Sequence, residues 1–375
     1  MAPSNIQGLK VAIIGGGYAG ATAAIALSQL GADVHVYEQA KSIGEVGAGI
    51  GLRPPTVQVF RDLGIFDEIA AVSSPSDYME ILTADGHLIM REEWPGINEF
   101  AQENKTRFIH RADFIQAITD LIPGDRLHLN AKMEKVTDNG DSATVSFADG
   151  SEVTADLVIG ADGIRSKVRN QTFGEVKPVF SGLVAIRAVI DGDKAHGLLA
   201  DDNLHLWVNP NGSMIYFLPL THRNQVSFDI TAPLAEEEAN PQLTHEQIIA
   251  RVDGFDERIQ AITRDLDMSQ VNVRGGFDID KQPLWHTDSI VLVGDAAHSM
   301  LWHQGQGANS AVLDAKALVD HLASADSVAQ ALAAYQAERK PITDVLQDIS
   351  RKAPDMNTDD VFPETQTFEK GAGVK

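Results

Sequence analysis

Lys10-Val-Ala-Ile-Ile-Gly-Gly-Gly-Tyr-Ala-Gly-Ala-Thr-Ala-Ala-Ile-Ala-Leu-Ser-Gln-Leu-Gly-Ala-Asp-Val-His-Val-Tyr-Glu38 is the stretch on which the fold turns. After Lys10, Val11 to Ile14 form a short continuous apolar run, the pattern of a buried parallel strand. Gly15 to Gly20 fits G-x-G-x-x-G, Ala21 to Leu30 is rich in helix formers, and Gly31 stands where a helix stops. Ala32 to Tyr37 reads as a second strand ending in Glu38, 23 residues after Gly15. Strand, turn, helix and strand together make a βαβ unit. Gly15 permits the tight turn, Gly17 lets backbone approach a pyrophosphate, and Gly20 lets the helix pack closely on the strand. The helix N-terminus offers free N–H groups to phosphates, and Glu38 can accept hydrogen bonds from ribose hydroxyls. An acid at this strand end, in place of Arg or Lys, suits a 2′-hydroxyl and not a 2′-phosphate. The motif by itself does not separate FAD from NAD.

The same stretch has a competing reading. The 22 residues between Lys10 and Asp33 carry no charge, long enough for a membrane span, and Gly16-x-x-x-Gly20 mimics a helix-dimer face. Three consecutive glycines argue for a turn instead. A secretory signal also fits poorly, because Lys10 is the only basic residue before the apolar run and no clear cleavage site follows.

Outside this unit, composition narrows the function classes. With 30 Lys+Arg against 53 Asp+Glu the formal net charge is −23, which disfavours nucleic acid and anionic membrane as main partners. The chain has no cysteine, so a disulfide framework, a thiolate metal site, a Cys nucleophile and a dithiol relay are all excluded. No metal site is expected, and the composition is compatible with a reducing cytoplasm. A net charge of this size poses one question: how such an acidic chain would bind an anionic ligand.

Further along, Gln58 to Ala71 reads as an amphipathic helix with Val59, Phe60, Leu63, Ile65 and Ile69 inward, and Phe114 to Leu121 as another. Lys135 to Ala155 alternates as antiparallel strands around an Ala148-Asp-Gly-Ser151 turn. Leu157-Val-Ile159 and Ile290-Val-Leu-Val293 are short buried strands, leading into Gly160-Ala-Asp-Gly163 and Gly294-Asp-Ala-Ala-His298. Val179 to about Thr231 is strand-rich, Thr244 to Leu266 helical, and helices run on to about Arg351. Parallel-sheet signatures at the start, middle and end of the chain imply a discontinuous α/β domain. Residues 1–75, 102–177 and 274–352 belong to it, 76–101 and 178–273 form an inserted antiparallel-sheet domain, and 353–375 read as a disordered tail.

Three segments together resemble the single-component FAD monooxygenases that hydroxylate aromatic rings, the family that includes salicylate and 6-hydroxynicotinate hydroxylases. They are the G-x-G-x-x-G with Glu38, then Gly160-Ala-Asp-Gly-Ile-Arg-Ser-Lys-Val-Arg169, then Gly294-Asp-Ala-Ala-His298 continuing to Gly305-Gln-Gly307, Ala308, Asn309 and Asp314-Ala315. Weaker matches are Gly47-Ala-Gly-Ile50 and His110-Arg-Ala-Asp113. The matches are ordered and span nearly the whole chain. The resemblance implies a Rossmann-like FAD-binding domain with an inserted substrate domain, FAD as cofactor, and NADH or NADPH as cosubstrate. In the implied cycle NAD(P)H reduces FAD, O2 adds at flavin C4a, and the hydroperoxide delivers oxygen to an activated ring.

By the same resemblance Gly15, Gly17, Gly20, Glu38, Arg111, Asp162, Gly163, Asp295, Gly305, Gly307, Ala308 and Asn309 are the FAD residues, with Asp162 also beside the nicotinamide groove. For Asp162-Gly163 alone, a plain turn is the alternative. His303 matches a family histidine suited to deprotonating a ring hydroxyl, and a loop histidine bonded to backbone is its alternative. Tyr216 lies on a matching pocket strand and could hydrogen-bond the substrate, while His205 and Trp207 on a neighbouring strand read as packing. Arg53 and Arg187 could each hold a substrate carboxylate by bidentate bonding, and a FAD contact or a surface charge is the alternative for either. The chain departs from the family at Trp302, where proline is usual; a bulky ring there could narrow the pocket or stack on the substrate. Only one dinucleotide fingerprint is present, so nicotinamide would bind transiently in a groove. A FAD-dependent reductase without O2 activation and a flavin-free NAD dehydrogenase are the competing functions. Small aromatic substrate, O2 and NAD(P)H are then the partners of a cytoplasmic monomer or homodimer, with no membrane span.

Overall fold

A computed structural model of the chain describes residues 6–44, 48–93, 100, 103–199, 201–302 and 305–352. The decisive stretch folds as strand Lys10–Ile14, helix Tyr18–Gln29 and strand Asp33–Tyr37. These two strands centre a five-stranded sheet, flanked by Leu157–Gly160 and Ile290–Leu292 on one side and Leu127–His128 on the other. Every pair in it is parallel, with Ile14 opposite Gly160 and Tyr37, so the strand ends converge on one edge. Such a sheet needs cover on both faces. Helix Tyr18–Gln29 supplies one layer with helices Gly307–Ser324 and Val328–Arg351 packed behind it, and the antiparallel meander Met133–Asp138, Ala143–Phe147, Glu152–Ala155 supplies another. One apolar cluster runs through all of these elements.

A second, seven-stranded sheet has the order Asn272–Asp278, Val179–Asp191, Gln225–Pro233, Met214–Leu220, Leu204–Val208, Tyr78–Thr83, Leu88–Glu93. It is mixed: strands Leu204–Val208 and Tyr78–Thr83 run parallel, and every other pair is antiparallel. Two chain segments more than a hundred residues apart meet at that parallel pair, which local alternation could not reveal. One face of the sheet packs Trp207, Phe217, Phe228 and Ile230 against helices His245–Ile249 and Glu257–Arg264. The other face looks toward the parallel sheet. A small sheet of Gly49–Leu52, Arg107–His110 and Ser73–Pro75 bridges the two.

Two helix expectations are corrected. Gln58–Ala71 is two helices, Pro54–Asp62 and Phe66–Ala71, broken at Gly64 with φ +68°, where a side chain would be strained. All five expected inward residues are nonetheless buried. The segment Thr244–Leu266 likewise splits, with a 3₁₀ turn at Ala250–Val252 between its helices. The tail 353–375 lies outside the described residues, and no helix among those described is long and apolar enough to cross a membrane.

Candidate active site

The two sheets enclose one cleft of about 770 Å³, within the size range of cofactor and small-molecule sites. It runs from Gly15, Gly17 and Glu38 at the parallel strand ends to Tyr216 and Asp229 on the second sheet, with Trp302, from the segment before helix Gly307–Ser324, beside them. Gly15 has φ +106°, and a Cβ there would stand 2.4 Å from the Ala161 carbonyl oxygen. A Cβ on Gly20 would stand 2.1 Å from the Gly15 carbonyl oxygen, so the helix reaches this close to its strand only because the position is glycine. Gly17 is different: nothing lies within 4 Å of its ideal Cβ, and the residue faces the cleft. The turn therefore presents bare backbone amides at the N-terminus of helix Tyr18–Gln29, a cradle suited to a pyrophosphate. Glu38 lines the cleft beside it, its carboxylate accepting from the amides of Gly16 and Ala40, both at 2.8 Å. These features fit FAD. The arrangement bears on the charge question as well: Arg53, Arg111, Arg165, Lys167 and Arg187 line this cleft against Glu38, Asp162, Asp229 and Asp295, so the cleft is near charge balance in a chain of net charge −23.

Asp162 and Gly163 also line the cleft. The Asp162 carboxylate accepts from the Ser166 hydroxyl at 2.5 Å and from the Lys167 and Val168 amides at 2.7 and 3.1 Å, beside Ser166, which caps helix Lys167–Thr172 by accepting from the Arg169 amide. Burial pushes its pKa up despite those donors. Arg169 is fully buried, donating to the carbonyls of Ala296 and Ile164, so it ties this motif to the third.

The third motif is built around a buried ionic knot. Asp314, on helix Gly307–Ser324, accepts from His298 Nε2 at 2.5 Å, Arg339 Nε at 2.8 Å and the Gly294 amide at 3.0 Å. Burial works against its charge, but His298 and Arg339 outweigh that and hold its carboxyl below the usual range. This fixes the turn that carries Asp295 into the cleft, where burial raises the Asp295 carboxyl. Gly305, Gly307 and Ala308 line the same wall, at the N-terminus of helix Gly307–Ser324. Asn309 is not among the lining residues. It is fully buried, its amide donates to the Gly51 and Gly305 carbonyls, and its Oδ1 accepts from the Arg53 amide and Thr56 hydroxyl. Asn309 thereby holds the helix against helix Pro54–Asp62 and spends its polar capacity inside the protein. Arg111 opens helix Arg111–Thr119, its guanidinium 5.6 Å from the Tyr18 ring.

On the second sheet, Arg187, Asp229 and Tyr216 stand abreast on three neighbouring strands, by the pairings Arg187 with Asp229 and Asp229 with Tyr216. Around them the same face is mostly apolar, with Met79, Leu204 and Leu218. Burial, helped by the charge of Asp229, pushes the Tyr216 phenol above its ordinary pKa, so near neutral pH it is a hydrogen-bond donor. Burial pushes Asp229 up to about 6, with Arg187 and the Ser227 hydroxyl pulling the other way. Trp302 joins the third motif to this face: its Nε1 donates to Thr231 Oγ1 at 3.0 Å, and its ring lies 5.3 Å from the Arg187 guanidinium. The ring packs where a Cβ on Gly276 would come within 2.7 Å of it. His205 and Trp207 point to the opposite face from Tyr216, since Leu206 is the residue that pairs with it. His303 lies outside the described residues.

Sequence reasoning missed Asp229. In Gln225–Pro233 the apolar residues Val226, Phe228 and Ile230 alternate with Ser227, Asp229 and Thr231, a pattern that reads as core on one side and solvent on the other. The polar side faces the cleft instead. An acid centred in such a strand, opposite an arginine strand, is the signal that could have found it.

Comparison with known proteins supplies the family. The family described as FAD binding domain matches residues 8–350. The chain is 31% identical over 337 residues to 3-amino-4-hydroxybenzoate 2-monooxygenase of Streptomyces cremeus, covering 89% of this chain and 84% of that one. It is 29% identical to 6-hydroxynicotinate 3-monooxygenase of Pseudomonas fluorescens, covering 92% and 91%. Klebsiella pneumoniae HpxO, crystallised with FAD and uric acid, superposes with a TM-score of 0.85 at 25% identity, covering 96% of this chain and 91% of that one. With the glycine cradle, Glu38 and the cleft that joins them to a second sheet, these matches place the chain in the FAD binding domain family, as a FAD-dependent aromatic monooxygenase.

Proposed function

We propose that the chain hydroxylates a small aromatic or heteroaromatic ring that already bears a hydroxyl group, using NADH or NADPH and O2. The observation that carries this reading is the continuity of the cleft from the phosphate cradle to the Tyr216 and Trp302 face. The ring hydroxyl in the substrates named for two relatives supports the substrate class. Gly15, Gly17 and Glu38 would hold the pyrophosphate and ribose end of FAD, with Gly20 letting the cradling helix pack close to its strand. Arg111, Asp162, Gly163, Asp295, Gly305, Gly307 and Ala308 would line the remainder, with Asn309 fixing the helix behind them. Bound FAD supplies electron transfer from the nicotinamide and activation of O2.

The chain's own part is positioning, water exclusion and one proton transfer. Met79, Leu204 and Leu218 give the ring an apolar floor. Trp302 closes one side, and the Tyr216 phenol donates to a ring substituent. His303 takes the ring hydroxyl proton on an imidazole nitrogen, which makes the ring carbon electron-rich for attack on oxygen. Arg53, at the cleft wall, is the candidate for a substrate carboxylate. With one dinucleotide fingerprint already given to FAD, the nicotinamide visits a groove without its own glycine turn. A cytoplasmic monomer or homodimer is the setting; the cysteine-free composition is compatible with a reducing compartment.

His303→Ala is expected to slow hydroxylation by about 10²-fold or more while FAD stays bound. Flavin content and product yield measure the two separately, and loss of FAD with hydroxylation per bound flavin intact contradicts the assignment of His303 as base.

A further inference from the structure

The expectation that Arg187 holds a carboxylate gives way once Asp229 stands beside it. Arg187 Nε and Asp229 Oδ2 are 3.8 Å apart, with side chains only 20% and 19% exposed. That separation is too long for a hydrogen bond. No described residue accepts a hydrogen bond from the buried Arg187 Nε, and Asp229 takes one only on Oδ1, from Ser227 Oγ at 3.0 Å. Ser227 in turn accepts from the Gly49 amide at 2.7 Å, so the carboxylate is fixed from behind. An unmet donor and an unmet acceptor thus sit side by side on the apolar wall of the cleft. Buried polar groups of this kind call for a complementary partner.

Resting on the reading of this cleft as the ring site, we propose that Arg187 and Asp229 form a specificity-determining pair. It selects ring substrates whose edge carries an acceptor oxygen next to an N–H or O–H donor, as in a 2-pyridone lactam. The lactam oxygen accepts from Arg187 and the N–H donates to Asp229. A carboxylate offers acceptors only and would set its negative charge against Asp229, so the same residue rejects arylcarboxylates that approach Arg187. Sites built to bond a donor discriminate strongly against analogues that lack it, because the protein's own group is left unpaired.

The probes are 2-pyridone, its isostere 2-pyranone with ring oxygen in place of N–H, and benzoate, titrated calorimetrically into the FAD-loaded enzyme at pH 7.5. The expected result is that 2-pyridone binds at least five-fold more tightly than 2-pyranone. A smaller ratio, or no binding of 2-pyridone, overturns the proposal. In Asp229→Ala the 2-pyridone to 2-pyranone ratio is expected to fall below two while benzoate binds at least five-fold more tightly than to wild type; failure of either change overturns it. The wild-type ratio decides the matter even where the variant does not fold. Binding is read without turnover, so absent hydroxylation would count against the function proposed above and not against this pair.

Discussion

Gly17 and Gly20 lie one helical turn apart, yet each is glycine for its own reason, and the difference is measurable. At Gly20 an added methyl meets backbone 2.1 Å away, so Gly20→Ala forces helix Tyr18–Gln29 off its strand and is expected to cost about 1–3 kcal/mol or more. At Gly17 the methyl projects into open cleft from an ordinary extended backbone with φ −72°. Gly17→Ala should therefore melt within a degree or two of wild type and lose FAD. Thermal unfolding of both apoproteins, with flavin content of both as purified, separates the two roles. Asp229 yields a second residue-scale prediction. Its folded pKa of about 6 lies above the ordinary carboxylate value of 3.8, so folding favours its protonated form. Wild-type stability then declines as pH rises from about 4 through 6, by about 3 kcal/mol in total from this group. Asp229→Asn, uncharged throughout, should be more stable than wild type at pH 8 by an amount of that order, and the gap should close toward pH 4.5. Denaturant titrations at the two pH values check it; an equal gap at both contradicts the burial of an ionised Asp229.

Helix Gly307–Ser324 does its work through its neighbours. Its N-terminus forms the cleft wall, Asn309 locks it to helix Pro54–Asp62, and Asp314 binds it to His298, Arg339 and the Gly294 amide. Asp314→Asn leaves the buried Arg339 guanidinium without its anion and disturbs the bond to His298, with side chains 0% exposed at Asp314 and 5% at Arg339. The expected loss is about 3–5 kcal/mol, with weakened FAD retention because the Gly294–Asp295 turn loses its anchor. Unfolding and flavin release measured together test this, and a stable variant that keeps FAD contradicts the anchoring role. The G-x-G-x-x-G turn, its two strands, and the Asp162 and Asp295 turns were legible in sequence because each is a local pattern with its own spacing. Helix Pro54–Asp62 and its successor were read as one, since apolar periodicity continued across the break at Gly64. The parallel pairing of Tyr78–Thr83 with Leu204–Val208 was not legible, because register between distant segments depends on tertiary packing. For the same reason Asp229 read as a solvent-facing acid: alternation shows that a strand has two faces, but not what covers each. The contact of Trp302 with Thr231 also joins segments that no local signal connects.

Across the whole molecule, the acidic excess and the near-balanced cleft are two parts of one arrangement. Five cations stand against four carboxylates, Glu38, Asp162, Asp229 and Asp295, along the cleft of a chain of net charge −23, so anionic ligands meet a local balance far less negative than the total. The FAD fold end and the second sheet contribute opposite walls of that cleft, which is why motifs scattered over more than 270 residues, from Gly15 to Trp302, converge on one site. The central claim is that this cleft couples nicotinamide oxidation to oxygen insertion into a ring. The direct test is to incubate the purified yellow protein with NADH or NADPH, O2 and hydroxylated benzoates and pyridines, recording nicotinamide oxidation and hydroxylated product together. At least one ring is expected to stimulate oxidation and to be hydroxylated in near one-to-one stoichiometry. Stimulated oxidation with no ring product, or a protein that binds NAD without flavin, would contradict it.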